Sequence, residues 1–208
     1  MTASQPARNR VSPCGEIIAA PGRGAWMGNR GRLHEGRGTR DVVRNHQNKA
    51  WLTCALSFKD RNLTQWEPHR YTLLFFLDEA VALAAGHRPC AECRRRAYND
   101  FREHWAQTHD GTVPYAAQMD EELHRERTDS STEHRAAWDT LPDGVFVTTA
   151  AGPAVVVGEQ LTVWDRRDNV YRERLARPRT GSATLITPPC TVDVLRAGYP
   201  VQIDTSAR

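Results

Sequence analysis

Residues 79–96 read EAVALAAGHRPCAECRRR. The small and apolar residues from Glu79 to Ala85 fit one short helix. Asp78 precedes them and can cap it, because its carboxylate accepts from the first free N–H groups. Gly86 ends it, since the left-handed conformation at a helix end costs glycine least. A tight turn then sets Cys90 and Cys93 at C-x-x-C spacing and opens a second helix that runs to about residue 109. Ala97, Tyr98, Phe101 and Trp105 recur there at helical spacing and form its expected buried stripe. Upstream, 51–58 (WLTCALSF) alternates like a strand, 71–77 (YTLLFFL) is an apolar run of strand length, and a short strand fits 16–19. Downstream, a charged helix is expected over 119–138, broken at 141–144 by a Leu-Pro-Asp-Gly sequence.

The texture then changes. Short β-type runs at 145–149, 154–157, 161–164, 170–174, 183–187, 191–195 and 201–203 are punctuated by glycine, proline and Asp168-Asn169. Their regular spacing predicts a small β-barrel or β-sandwich. The fold class is therefore α+β. Residues 1–13 read as a disordered leader, 14–140 as an α+β module around the cysteine turn, and 141–208 as a small β-rich module.

The chain has 208 residues, 39% of them hydrophobic and 25% charged, as in ordinary globular proteins. No stretch approaches the roughly 18 continuous apolar residues of a membrane span. The first ten residues lack the apolar core of a secretory signal. A cytoplasmic location without a membrane partner is the expectation. Net charge is only +3, yet residues 1–50 hold nine Arg or Lys against three acids. That quarter can face an anionic partner. The chain has just two lysines, so an arginine-rich codon bias is the competing explanation.

Five cysteines, an odd number, argue against a disulfide scaffold and leave metal binding or packing. Thiolate is a strong zinc ligand, and two intervening residues let Cys90 and Cys93 reach one ion. Cys54, on the expected strand at 51–58, is the best third candidate. Cys14, His34, His69 and His87 stand as alternatives for the fourth position. The plain reading of Cys90 and Cys93 is two small buried hydrophobes at a turn.

The segment 75–94, above all ALAAGHRPCAEC at 82–93, resembles the zinc-binding domain of Ada-type DNA alkylation-response proteins, which carries a similar A-L-A-A-G-x-R-P-C-x-x-C segment after a short strand. The likeness covers about residues 51–96. It implies zinc on Cys90 and Cys93, and Arg88 near DNA phosphate. In that family four cysteines hold the metal and one of the first pair accepts a methyl group from a DNA phosphotriester. This chain has no C-x-x-x-C between Cys54 and Cys90, so the methyl-acceptor pair is missing and methyl transfer is not implied. Over most of its length the chain also resembles small bacterial proteins that carry M-G-N-R-G near the N-terminus, here Met27 to Gly31; that second likeness implies no reaction.

Two further patterns carry candidate chemistry. The glycine–arginine stretch 21–32 reads as a loop whose N–H groups can form an anion nest, with Arg23, Arg30 and Arg32 as phosphate contacts and Trp26 free to stack on a base. Arg94 and Arg95 open the helix after the cysteine turn, where positive charge opposes the macrodipole and so favours an anionic partner. With Arg88 these six arginines form a nucleic-acid-binding set. Separately, Glu121 and His124 lie three apart on the charged helix and share a face, as a metal-binding pair does. With Asp78 they are the candidate catalytic residues of a metal-dependent hydrolase or nuclease sited between the modules. A solvated helix face is the simpler reading of the same pair. The expected function is thus a zinc protein that binds nucleic acid, with the hydrolase and a metal-stabilised protein-interaction module as alternatives.

Overall fold

The helix at the centre of the chain is framed by its own caps. In the computed structural model, which describes residues 6–35, 41–129 and 131–208, α1 spans Glu79–Ala84. Asp78 accepts from the Val81 N–H at 2.8 Å. At the other end Gly86 takes φ +77°. The Gly86 N–H reaches the Leu83 carbonyl and the His87 N–H the Ala82 carbonyl, the paired bonds of a Schellman stop. Every residue of α1 is buried, which explains its small, apolar sequence.

Around α1 runs a six-stranded mixed sheet. Its strands are β1 (Arg8–Val11), β2 (Ile17–Ala19), β3 (Trp26–Asn29), β4 (Leu52–Cys54), β5 (Leu74–Phe76) and β6 (Arg88–Pro89), in the order β2-β1-β5-β3-β4-β6. Two expectations change here. Residues 8–11, read as part of a disordered leader, pair antiparallel with β2 and parallel with β5, and Val11 is fully buried. Residues 1–5 of that leader, like Arg37 and Arg40 of the basic quarter, lie outside the described residues. The glycine–arginine stretch is not all loop, since β3 forms its second half and sits between β5 and β4. Gly28 permits this. A Cβ there would come within 2.4 Å of the Phe76 ring, so the glycine is a packing requirement rather than a turn signal.

After β6 come α2 (Arg95–Thr108) and α3 (Ala116–Thr128). Tyr98, Phe101 and Trp105 are the buried stripe of α2, while Ala97 is only half-buried. The charged helix ends ten residues earlier than its sequence suggests, and residues 135–137 form β7 (Arg135–Ala137), paired with β12 (Ser182–Thr184).

The C-terminal third is an open antiparallel meander, not a closed barrel. β8 (Phe146–Thr149), β9 (Gly152–Val157), β10 (Gln160–Asp165) and β11 (Val170–Ala176) follow one another in the order β11-β10-β9-β8. Its two faces bury different partners. Phe146, Val155, Trp164 and Tyr171 join Val11, Leu74, Phe76 and most of α1. Val147, Ala154, Val156, Leu161 and Val163 join Phe101, Trp105, Met119 and Leu123 of α2 and α3. Burial on both faces explains the unbroken apolar run in β9. Each of these two core clusters takes residues from both sides of the expected boundary near residue 140.

One expected strand is a helix. Residues 191–195 lie in α4 (Pro189–Arg196), where proline holds the first turn and Cys190, Val194 and Leu195 pack inward. The β-branched residues are carried by tertiary burial, which outweighs their weak helix propensity. Residues 201–203 form no strand. Among the described residues, no helix is long and apolar enough to cross a membrane.

Candidate metal centre

Two segments deliver the cysteines, β4 and the turn between β6 and α2. β4 ends at Cys54, and β6 runs parallel to it with Thr53 opposite Pro89. The Cys90 N–H donates to the Thr53 carbonyl at 2.9 Å, which fixes Cys90 beside Cys54. The turn before α2 then returns Cys93 to the same spot. The sulfur atoms of Cys54, Cys90 and Cys93 all lie within 4.8 Å of one another, the one such group of His, Cys, Asp or Glu side chains among the described residues. Met27 and Leu73 wall the buried side, and Tyr71, Phe75 and Leu63 are half-buried around it. Cys93 is the half-buried member and marks the solvent side.

Backbone donors already point at sulfur. The Ala55 N–H lies 3.4 Å from the Cys93 Sγ and the Glu92 N–H 3.4 Å from the Cys90 Sγ. Such bonds favour thiolate over thiol. Without a cation the three compete for charge. Cys90 is held far below the usual thiol range because Cys54, and then Cys93, donate to it. The same bonds, to Cys90 first and Cys93 second, push Cys54 far up, with burial adding to them. Cys93 is raised as well: a bond from Cys54 lowers it, but its bond to Cys90 and its burial outweigh that. A soft divalent cation would let all three ionise, and a set of three thiolates fits zinc chemically.

The fourth position is not filled by any of the four alternatives. His34 is buried against Thr72 Oγ1 at 2.7 Å and the Glu67 carbonyl at 3.1 Å. His69 meets Arg32, and His87 is enclosed beside Arg30. Cys14 is exposed near Glu16 and Arg166, and its thiol is raised chiefly by partial burial and then by Glu16. The residues outside the described set include no Cys, His, Asp or Glu.

The six arginines divide. Arg88 is buried and makes a two-pronged pair with Asp120, 2.7 and 2.8 Å. Arg94 donates to Glu79 at 2.6 Å and lies 3.9 Å over the Trp26 ring. Trp26 also donates to Gln202 Oε1, so its ring is engaged and not free for a base. Arg30 is fully buried. Arg23 and Arg95 are exposed and Arg32 half-exposed. Three of the six are therefore interior groups, because the helix start and sheet end that carry them face the core.

Of the candidate catalytic residues, Glu121 and His124 stay neighbours on α3, but the three do not form a metal-holding group. Asp78 is buried at the start of α1, where it accepts from Tyr171 Oη at 2.8 Å and the Asp204 N–H at 2.9 Å. Burial lifts its carboxyl to about 6, against the pull of those bonds. Glu121 is exposed on α3 and paired with Lys49 at 2.5 Å. His124 faces the His46 ring, centroids 5.2 Å apart. Burial and the nearby Arg127 lower its pKa. Sequence reasoning passed over Trp51, His46 and Arg127, which meet at the opposite end of β4. No spacing motif marks them; Arg127 is one charge among many on α3.

No family model, curated protein or solved structure matches this chain.

Proposed function

We propose that this chain is a zinc–thiolate protein in which Cys54, Cys90 and Cys93 hold one zinc ion and the fourth position is left to water or an external ligand. The observation that carries the reading is the convergence of three sulfurs, one from β4 and two from the turn before α2, within 4.8 Å of one another. Bound there, the ion supplies a cross-link and a Lewis-acid position. The residues around it do the rest. β4 sets one sulfur, the turn after β6 sets the other two, and Tyr71 and Phe75 limit water. The cross-link ties the edge of the six-stranded sheet to the start of α2.

Elemental analysis of protein purified without chelator tests this. About one zinc per chain is expected, lost in a Cys90→Ser, Cys93→Ser variant. Wild-type protein that carries no metal and takes up none from added zinc would overturn it.

A second reading, nucleic-acid binding, keeps the exposed Arg23 and Arg95 and the half-exposed Arg32 as contacts. Three phosphate contacts imply a log–log salt slope of about −2 to −3. A flat titration would sink that reading while leaving the metal untouched.

A further inference from the structure

The end of β4 away from the cysteines opens into a cleft of about 670 Å³. Its floor is built from the two motifs that stood out in the sequence. Arg30, from M-G-N-R-G, is fully buried and donates through Nε to His87 Nε2 at 3.1 Å and through Nη1 to the Gly15 carbonyl at 2.8 Å. Its Nη2 finds no partner. Arg127 donates to the carbonyls of Gly86 and Lys49, and its Nε is buried without a partner. Each guanidinium carbon lies 3.8 Å from the centre of the Trp51 ring. Both guanidiniums thus pack on the same indole.

Neither arginine has a carboxylate partner among the described residues, and His87, as acceptor, is neutral. A buried charge is normally paired, because its desolvation is otherwise uncompensated. Acids do line the cleft, but each is engaged elsewhere. Glu16 pairs with Arg166. Glu126 accepts from the Cys190 N–H and faces Arg125. Asp129 accepts from Ser131 and Thr132, and Glu133 from Thr184. Arg8, at the rim, donates to two backbone carbonyls. Asp120 acts on Arg127 through space, but both its oxygens accept from Arg88, so neither cleft arginine has a carboxylate of its own to bond among the described residues.

We propose that this cleft binds a small phosphorylated molecule, its phosphate seated against Arg30 Nη2 and Arg127 Nε, the guanidinium nitrogens left without a partner. A phosphate has three terminal oxygens and up to two charges, enough for two separate guanidiniums, where a carboxylate offers two oxygens and one charge. The volume is that of a small-molecule site and exceeds what one phosphate fills. Ile17, Ala84, Leu185 and Ile186 give the remainder an apolar wall for the organic part of the ligand. The site shares no side chain with the cysteines and does not depend on the metal reading.

The test uses the full chain at low ionic strength, with inorganic phosphate and pyrophosphate as probes and acetate at matched ionic strength as control. Saturable binding of the phosphates is expected, with a shift of the Trp51 indole N–H resonance and none at Trp105. Arg127→Met and Arg30→Met should each weaken binding at least tenfold. Absence of saturable binding by the folded wild type, binding undiminished in Arg127→Met, or acetate bound as tightly as phosphate would each overturn the proposal. Should both variants fail to fold, the wild-type resonances decide alone: a phosphate titration that leaves Trp51 unmoved ends it.

Discussion

The two ends of the β4–β6 strand pair are opposites. At one end Cys54, Cys90 and Cys93 gather electron-rich sulfur with no cation among the described side chains. At the other, Trp51 and His87 stand among Arg30 and Arg127, cations with no carboxylate bonded to them among the described residues. Between them Arg88 and Asp120 form a buried pair that is complete in itself. The same short backbone ladder thus carries one satisfied polar cluster and two that lack a bonded counter-charge. Burial alone does not mark a site, since all three clusters are buried. What separates them is whether the chain neutralises its own charge.

The metal end should break hardest. Stripping zinc, or Cys54→Ala, removes a link between the sheet edge and α2. Zinc binding to small peptides is worth about 10–16 kcal/mol at most. A loss of about 5 kcal/mol here would lower Tm by roughly 10–20 °C in a chain of this size, read by thermal scanning with and without chelator. An unchanged Tm would leave the cysteines as packing residues.

The complete pair comes next. Asp120→Ala leaves Arg88 charged and buried, at a cost of about 3–5 kcal/mol by denaturant unfolding. An Arg88→Met, Asp120→Leu double variant should recover most of it. If it does not, the pair also anchors α3 in a way apolar packing cannot replace.

Asp78 is a buried acid whose charge can be read through pH. Its carboxyl is raised from 3.8 to about 6, chiefly by burial. The folded state therefore binds the proton more tightly than the unfolded chain. This contribution is fully present below about pH 4 and is lost as pH rises to about 6, up to roughly 3 kcal/mol. Asp78→Asn should flatten that slope in urea midpoints measured across the window.

Trp51→Leu removes the surface shared by Arg30 and Arg127 and should cost about 1–2 kcal/mol, reading the stacking as cation–π attraction. Phosphate should stabilise the wild type more than this variant. The smallest effect is expected at Glu121. It is exposed and paired only with Lys49, so Glu121→Gln should leave Tm unchanged. A large loss of any hydrolytic activity in that variant would revive the catalytic reading of α3.

Local signals served well where the chain is governed by its neighbours in sequence. Asp78, Gly86 and the small residues between them specify a capped helix, and Tyr98, Phe101 and Trp105 specify the inner face of the next. They served poorly where packing decided. Trp26–Asn29 becomes a strand because Gly28 lets the Phe76 ring approach. Pro189–Arg196 becomes a helix because its apolar face has α2, α3 and the meander to bury against. The arginines misled most, because the residue type favours surfaces and gives no local sign of a buried partner.

From the sequence alone came the α+β class, the turn that holds Cys90 and Cys93, and Cys54 as the third thiol on a neighbouring strand. Those follow from short-range geometry, which caps, glycines and a two-residue cysteine spacing control. It took the tertiary fold to decide that two core clusters each draw on both halves of the chain, that Arg88 and Arg94 are internal ion pairs, and that Arg30 and Arg127 both pack on Trp51. Partners so far apart in the chain meet because burial of both faces of the meander forces the segments together, and charge balance at such meetings is a property of the assembled interior.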